Sequence, residues 1–183
     1  MSNDHFKGKY EVELKYRIDS KLGFLHTLSS IPHDVMFENN LESDLYFDSP
    51  DRTLQAQNKS LCIRTIEPSG INLWIVKGPE PDRCEATNIT DSRSAVSMLE
   101  NLGYAVVLKA QKTRSIFFVD KFHITVDSLA DIGDFAEFAI MTDDESKLSG
   151  YKAELELLAC KFGLTNTDLQ TKSYKQMFTE IGA

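Results

Sequence analysis

The stretch Tyr10-Glu11-Val12-Glu13-Leu14-Lys15-Tyr16-Arg17-Ile18 decides how this chain folds. Apolar or aromatic residues alternate in it with charged ones, and the charged parity consists of Glu11, Glu13, Lys15 and Arg17. Because successive side chains of a strand point to opposite faces, the pattern predicts a β-strand with one apolar and one fully charged face. For this stretch taken alone, an exposed strand with cross-strand salt bridges is the alternative.

Alternation and turn signals predict seven more strands along the chain. They are expected at residues 36–47, 60–67, 71–77, 83–89, 105–118, 122–129 and 135–141. Caps and apolar spacing predict the helical segments. These are a helix from Asp19 or Ser20 to Ser30, a helical loop over 49–57, a helix from Asp91 to Gly103, a helix opened by a Thr142–Glu145 capping box, and a last helix over 173–181.

The chain has 183 residues, enough for one domain with a substantial core and short for two. No internal repeat or proline-rich linker interrupts it, so a single domain over residues 1–183 is expected. Strands joined by short turns, with helices between them, predict a largely antiparallel α+β domain whose sheet curls or closes. Trp74 has the parity opposite to Lys77 and is therefore expected to pack on the outer wall, under a helix.

Composition excludes several classes of function. The formal charge is -8, which makes wrapping of DNA or RNA a poor default unless the bases gather in one place. The apolar runs are far shorter than the roughly 20 residues that a membrane span needs. The first residues lack a secretory apolar core, which favours the cytoplasm. Three cysteines without CxxC spacing are expected to be reduced thiols.

Charge recurs at alternate positions in strand after strand of the predicted sheet. Single charges also stand in otherwise apolar runs, where each needs a partner or a wet cavity. The residues in question are Arg64, Lys77, Arg83, Glu85, Lys112, Arg114, Asp127 and Glu137. Clustered Lys and Arg side chains neutralise a polyphosphate, and grouped carboxylates hold Mg²⁺ or Mn²⁺. Acids and bases together therefore suit a complex of a metal ion with a nucleoside triphosphate.

These residues carry a resemblance to a known family. Glu11, Glu13 and Lys15 form the E-x-E-x-K signature of the CYTH superfamily, the triphosphate tunnel metalloenzymes, and the later charged residues follow in the order that the family shows. Residues 5–15, 73–79, 133–137 and 172–174 are more specifically similar to the bacterial class IV adenylyl cyclases. The second acidic strand departs from the pattern, because it keeps only Glu85 of an E-x-E pair.

The resemblance implies a closed eight-stranded antiparallel β-barrel, the triphosphate tunnel, with flanking helices. It implies a homodimer that converts ATP to 3′,5′-cyclic AMP and pyrophosphate with Mg²⁺ or Mn²⁺, expected as two ions. The metal ligands are then Glu11, Glu13, Asp127 and Glu137. The triphosphate is expected to contact Lys15, Arg64, Lys77, Lys112 and Arg114, with Arg64 on the α-phosphate. Catalysis is expected from Glu13, Lys15, Arg64, Lys112 and Arg114.

Three other functions compete with this interpretation. A hydrolase of inorganic or thiamine triphosphate shares the charge constellation, a nucleotide or polyphosphate sensor needs the bases alone, and nucleic-acid binding needs an exposed basic stripe. For Asp127 and Glu85, an ion pair with a nearby base is the alternative to a metal. His123 lies in phase with Asp127 and is expected either to be hydrogen-bonded or to contact the ligand. The other histidines, His5, His26 and His33, are expected at the surface.

Overall fold

A computed structural model describes residues 3–182, and these form eight β-strands, five α-helices and two short 3-10 helices. The strands are β1 (Tyr10–Ile18), β2 (Asp34–Asp48), β3 (Ser60–Glu67), β4 (Ile71–Lys77), β5 (Cys84–Asn88), β6 (Ala105–Val119), β7 (Phe122–Leu129) and β8 (Gly133–Thr142). The α-helices are α1 (Lys21–Ser29), α2 (Thr53–Ala56), α3 (Ser92–Asn101), α4 (Leu148–Cys160) and α5 (Tyr174–Ile181). The 3-10 helices cover Asn3–Phe6 and Glu145–Lys147.

The predicted strands are confirmed, and β1, β3, β4 and β7 have the expected bounds. The predicted Thr142–Glu145 capping box is wrong. Thr142 still belongs to β8, and its hydroxyl accepts a hydrogen bond from the Asp144 backbone instead. Asp144 caps the short 3-10 helix, and α4 begins only at Leu148. Among residues 3–182, no helix combines the length and the apolar character needed to cross a bilayer.

The eight strands form one sheet in the hydrogen-bonded order β1-β8-β7-β6-β2-β3-β4-β5. The pairs β1–β8, β8–β7 and β7–β6 are antiparallel, and so are β2–β3, β3–β4 and β4–β5. This order confirms an eight-stranded antiparallel sheet. Its hydrogen-bonded order begins at β1 and ends at β5, so closure into a barrel stays a prediction.

The chain divides into two compact units, each made of two separate stretches of sequence. Unit 1 contains the residues up to Asn39 together with Thr113–Thr171, and unit 2 contains Asn40–Lys112 together with the residues from Lys172 onward. The single domain over residues 1–183 stays a prediction.

The core of unit 1 lies on the apolar face of β1, β8 and β7. Val12, Leu14 and Tyr16 of β1 are buried there with Phe138 of β8. Helices α1 and α4 cover this face with the buried side chains Phe24, Leu28, Leu155 and Leu158. Burying each such side chain contributes about 1.5–3 kcal/mol, so the core fixes which face of β1 is turned away from the helices. That face carries Glu11, Glu13 and Lys15.

The core of unit 2 packs one face of β3 and β4 against α3. Phe47 and Ile63 are buried with Leu99 of the helix. Trp74 is partly buried against this cluster, which confirms the prediction that it packs under a helix. The opposite parity of β3 and β4, which includes Arg64 and Lys77, is thereby directed away from α3.

Candidate active site

Cross-strand register places the charged side chains of unit 1 in rows, because directly opposed residues of antiparallel strands share a face. The His123 row contains Glu13, Ala139, His123 and Phe118. The Glu137 row contains Lys15, Glu137, Thr125 and Ile116. The Asp127 row contains Arg17, Phe135, Asp127 and Arg114. Glu11 opposes Met141 and adds a further row beyond Glu13. We call this surface the charged face of unit 1.

Arg114 binds two carboxylates on the charged face. Its Nε donates to Asp127 Oδ1 at 2.6 Å and its Nη2 to Asp127 Oδ2 at 2.5 Å, a bidentate pair. The same Nη2 also donates to Glu137 Oε2. Asp127 has no exposed surface, and Glu137 is 5% exposed. Burial of a carboxylate is costly unless the group is paired and hydrogen-bonded, and Arg114 provides such a partner for both.

Lys15 of β1 contacts two carboxylates of the charged face, that of Glu137 on β8 and that of Glu13 on its own strand. Its Nζ lies 3.6 Å from Glu137 Oε1 and 3.8 Å from Glu13 Oε1. The hydroxyl of Thr125 donates to Glu137 Oε2 at 3.1 Å. Five of the residues expected to form the site are therefore in one network: Glu13, Lys15, Arg114, Asp127 and Glu137.

Glu11 lies beside a buried histidine. The Nε2 atom of His123 is 3.6 Å from Glu11 Oε1, and His123 is 2% exposed. His5 departs from the surface position expected of it, since it is half-buried and its ring stacks on that of Phe118 at 4.1 Å. His33 is also half-buried, whereas His26 is exposed as expected.

The charged face of unit 1 holds more acid than base. Its four carboxylates are those of Glu11, Glu13, Asp127 and Glu137, and its buried cations are those of Lys15 and Arg114. Counting the exposed Arg17 as a third cation still leaves one carboxylate in excess. An excess of hard oxygen donors on a partly buried surface favours a divalent cation.

A second ion cluster lies in unit 2, around Arg64 of β3 and Lys112 of β6. Arg64 binds Asp44 in a bidentate pair at 2.7 and 2.8 Å, and its Nη1 lies 3.2 Å from Glu42. Lys112 Nζ lies 2.6 Å from Glu42 and 3.8 Å from Asp44. Two predicted triphosphate ligands, Arg64 and Lys112, are thus held by two carboxylates.

Glu42 and Asp44 are site residues that the sequence analysis missed. They are 1% and 5% exposed, which makes them comparable in burial to the predicted site residues Asp127 and Glu137. The signal was present in Leu41-Glu42-Ser43-Asp44-Leu45, where two acids stand at spacing two within a strand. The bases that these two acids bind are Arg64 on β3 and Lys112 on β6. Both are distant in sequence from the acids, so no local pattern predicts the pairing.

Helix α5 brings two more side chains to this cluster. The Lys112 ammonium lies 5.4 Å from the centre of the Tyr174 ring, and the Lys175 ammonium lies 5.5 Å from that of Tyr46. Burial lowers the pKa of Lys175. Burial raises the pKa of Tyr46, and the Asp44 carboxylate raises it further, so the phenol stays neutral.

The cysteines behave as predicted. Cys62, Cys84 and Cys160 are free thiols, and Cys62 and Cys84 are buried. Burial, together with the nearby Asp44 carboxylate, raises the pKa of Cys62 to about 12. Cys62 is therefore a neutral thiol at physiological pH, without nucleophilic character.

Lys77 of β4 and Glu85 of β5 lie on opposite faces of the sheet. Lys77 ends β4 opposite Cys84 and Ser60 and is exposed. Glu85 opposes Val76, so it lies on the other face of the sheet from Lys77 and forms an ion pair with Arg83. This arrangement favours the ion-pair interpretation of Glu85 over a metal ligand.

The donor chemistry of the charged face suits Mg²⁺ or Mn²⁺ at some of the predicted positions. Glu11 and Glu13 are carboxylates with partly exposed side chains, 17% and 25%. Both oxygens of Asp127 are engaged by Arg114, which favours the ion-pair alternative for that residue. Within residues 3–182, no three His, Cys, Asp or Glu side chains already converge as a metal site.

The class of protein follows from these features together with its relatives. A model of the CYTH domain matches residues 9–174, and the chain belongs to this family. It is 54% identical over 177 residues to the adenylate cyclase CyaB of Aeromonas hydrophila, a match that covers 97% of this chain and 93% of that protein.

Solved structures agree with this assignment. A crystal structure from Vibrio parahaemolyticus, described as a candidate adenylate cyclase, has a TM-score of 0.93 at 57% identity, and the match covers 94% of this chain and 99% of that one. A protein of Pyrococcus horikoshii has a TM-score of 0.81 at 24% identity, covering 94% of this chain and 99% of that one. The second likeness concerns the fold alone.

Proposed function

We propose that this chain is a class IV adenylate cyclase, which converts ATP to 3′,5′-cyclic AMP and pyrophosphate. The observation that carries the proposal is the buried network of Glu13, Lys15, Arg114 and Glu137 in a chain 54% identical to an adenylate cyclase. In this reaction the ribose 3′-hydroxyl loses its proton and its oxygen bonds to the α-phosphorus, while the bond to pyrophosphate breaks. The protein must therefore place the hydroxyl in line and stabilise the charge on phosphate.

The cations of both units are assigned to the triphosphate. In unit 1 these are Lys15 and Arg114, and in unit 2 they are Arg64, Lys77 and Lys112. Each of Lys15, Arg114, Arg64 and Lys112 is already held by carboxylates, so its position is fixed before substrate arrives. Preorganised cations stabilise developing charge without the cost of reorientation. Arg64 is assigned to the α-phosphate because a guanidinium binds two oxygens at once.

The carboxylates of the charged face are assigned to the divalent cation, with Glu11, Glu13 and Glu137 as the ligands best placed by chemistry and Asp127 as the residue that orients Arg114. Mg²⁺ or Mn²⁺, proposed as two ions, would neutralise phosphate charge and lower the pKa of the 3′-hydroxyl. The Nζ atom of Lys15 lies 3.8 Å from Glu13 Oε1 and 3.6 Å from Glu137 Oε1 and thereby limits the rotation of both carboxylates.

The remaining parts of the proposal come from the sequence pattern and from the family resemblance. The sheet is proposed to close into a tunnel within a single domain over residues 1–183, and the protein is proposed to be a cytoplasmic homodimer. Its small-molecule partner is ATP, with no role in binding nucleic acid or membranes. The alternation of acids with bases supports a nucleotide over a nucleic acid.

The test is an analysis of the reaction products of the wild type, of a variant in the site and of a control variant outside it. The purified protein is incubated with ATP and Mg²⁺ or Mn²⁺, and separately with inorganic and thiamine triphosphates, and the products are resolved by chromatography. We expect cyclic AMP and pyrophosphate from ATP. Glu13→Gln should lower turnover by more than roughly 100-fold, because loss of a group that only orients a metal ligand already costs 10–100-fold. Glu154→Gln, at an exposed ion pair on α4, is the control.

Two outcomes would contradict the proposal. Release of orthophosphate without cyclic AMP would assign the chain to the triphosphate hydrolases. Tight binding of triphosphates without any turnover would assign it to the sensors. Equal activity of Glu13→Gln and the wild type would remove Glu13 from the catalytic residues.

A further inference from the structure

Asp44 of β2 holds one edge of the Arg64 guanidinium. The two residues are directly opposed in the β2–β3 register, and Asp44 is 5% exposed. The carboxylate oxygens of Asp44 accept hydrogen bonds from Arg64 Nε at 2.7 Å and from Nη2 at 2.8 Å. A guanidinium is planar and has a second edge, formed by Nη1 and Nη2. The bidentate pair therefore fixes the plane of the guanidinium and assigns its Nε–Nη2 edge to the protein.

The Nη1–Nη2 edge of Arg64 is contacted by a carboxylate that also serves another cation. Glu42 Oε2 lies 3.2 Å from Arg64 Nη1, and the same oxygen lies 2.6 Å from Lys112 Nζ. Two parallel charge-assisted hydrogen bonds are stronger than one shared contact. An anion that approaches Arg64 is therefore expected to bind at the Nη1–Nη2 edge and to leave the pair with Asp44 intact.

Asp44 is itself held by neighbouring side chains of unit 2. The Tyr46 hydroxyl donates to Asp44 Oδ2 at 3.4 Å, and the Cys62 thiol is hydrogen-bonded to the same carboxylate. Tyr46 and Cys62 are directly opposed, two residues along the strands from the pair of Asp44 and Arg64. The Lys175 ammonium of α5 lies 5.5 Å from the centre of the Tyr46 ring. The carboxylate, and through it the guanidinium, is thus positioned before any ligand binds.

A phosphate group benefits from this alignment more than a simple anion would. A guanidinium binds two phosphate oxygens at once only when both lie near its plane, and otherwise it acts as a point charge, as a lysine does. We propose that Asp44 is the positioning residue for Arg64: it keeps the Nε–Nη2 edge, so that the Nη1–Nη2 edge binds the α-phosphate. This inference rests on the proposed function for the assignment of Arg64 to that phosphate.

The contribution of Asp44 should fall on the chemical step. Charge is redistributed at the α-phosphate as the bond to pyrophosphate breaks, so an aligned guanidinium stabilises the transition state more than the bound substrate. The other cations assigned to the triphosphate keep their charge when Asp44 is replaced. Loss of the alignment should therefore lower kcat more than it raises KM.

The first test observes the two edges of the guanidinium in the wild type. Arginine side-chain N–H signals are recorded by ¹⁵N NMR with and without tripolyphosphate and Mg²⁺, and the Arg64 signals are assigned by their absence in Arg64→Lys. We expect the Nη signals to shift on binding and the Nε signal to keep its position, because Asp44 retains Nε. An Nε signal that moves as far as the Nη signals would mean that phosphate displaces Asp44, which would overturn the proposal.

The second test compares the kinetics of matched variants. Asp44→Asn should lower kcat by roughly 10- to 100-fold, the range for loss of a group that orients a ligand, and change KM by less than about threefold. In an Arg64→Lys background the same substitution should lower kcat by less than about threefold, because no planar group remains to be aligned. Asp48→Asn is the control. Asp48 is a buried carboxylate of the same strand that accepts from backbone N–H groups, and its variant should keep the kcat of the wild type.

Three kinetic results would each contradict the role of Asp44. A wild-type kcat in Asp44→Asn would show that Arg64 needs no orienting partner. An equal loss in the Arg64→Lys background would show that Asp44 acts through another group, and an equal loss in Asp48→Asn would reduce its effect to stability. The NMR measurement uses the wild type and requires binding without turnover. It therefore decides the question even if Asp44→Asn fails to fold, and a wild type that makes no cyclic AMP contradicts the proposed function alone.

Discussion

Arg114 forms a bidentate ion pair with Asp127, a carboxylate with no exposed surface. Arg114→Ala would leave that charge buried and would also remove one partner of Glu137. Breaking a buried pair from one side costs about 3–5 kcal/mol, because the remaining charge stays desolvated. We expect a loss of this size in the free energy of unfolding, measured by urea denaturation.

The matched variant for that experiment is Lys121→Ala. Lys121 pairs with Glu154 at an exposed position, where solvent already screens both charges. We expect its unfolding midpoint to equal that of the wild type. Equal and small losses in the two variants would mean that the Arg114 network adds nothing to stability.

Asp48 makes stability depend on pH in the acid range. Its burial by itself raises its pKa, but the backbone N–H groups of Leu54, Gln55 and Ser49 donate to its carboxylate, and the net result is a pKa below the ordinary value of 3.8. A depressed pKa stabilises the folded state above the unfolded pKa, and the contribution is lost as pH falls through the folded pKa.

The corresponding prediction concerns Asp48→Asn. At pH 7 this variant should be less stable than the wild type by roughly 1–3 kcal/mol, since hydrogen bonds to a charged group are lost. The difference should begin to shrink as pH falls below about 4, where the unfolded carboxyl takes up its proton, and should shrink further as pH falls through the lower pKa of the folded state. Unfolding at a series of pH values measures it, and a difference that is constant from pH 7 to pH 2 would contradict it.

At the scale of elements, the link between the N-terminal 3-10 helix and β8 depends on Gly8. Gly8→Ala adds a Cβ where the Thr142 backbone already stands, and it does so at a positive φ. We expect lower stability, by about 1–3 kcal/mol, because the backbones at Gly8 and Thr142 must move apart. Gly150→Ala in α4 meets no atom within 4 Å and should keep or raise stability. Thermal unfolding of the two variants compares them, and equal midpoints would contradict a constrained turn.

The sequence predicts those elements whose pattern is local. The strict alternation of β1 gives its bounds to the residue, and Ser20 and Asp91 cap α1 and α3 as expected. The start of α4 could not be found this way, because Thr142 is held in β8 by pairing with Tyr10, a contact more than 130 residues away. Long-range pairing of this kind overrides a capping signal.

The residues of the candidate site were likewise predicted where their pattern is local and missed where it depends on contacts between distant strands. The E-x-E-x-K pattern on β1 points to Glu13 and Lys15, and the structure places them in one network. Glu42 and Asp44 were missed because their meaning depends on partners in other strands, Arg64 and Lys112. The ring contacts of His5 with Phe118 and of Phe6 with His123 were missed for the same reason, since they join residues near the N-terminus to β6 and β7.

At the scale of the whole molecule, the buried charges are balanced without a metal ion, because the least buried carboxylates of the charged face, those of Glu11 and Glu13, are partly exposed to solvent. The buried carboxylates of both clusters contact the protein's own Lys and Arg side chains. We therefore expect EDTA to abolish cyclase activity while the thermal unfolding midpoint stays unchanged, and added Mn²⁺ to restore activity. A large fall in the midpoint with EDTA would instead identify a structural ion.

The division of each unit between two stretches of chain has a consequence for synthesis. Unit 1 takes its strands from before Asn39 and after Thr113, and unit 2 is completed by the segment from Lys172. While the ribosome is still adding residues 40–112, the nascent β1 has no β8 to pair with, and its charged side chains remain exposed to solvent. The core of unit 2 around Phe47, Ile63 and Leu99 lies within residues 40–112 and can form first, whereas unit 1 can complete its sheet only after the residues from Thr113 onward have emerged.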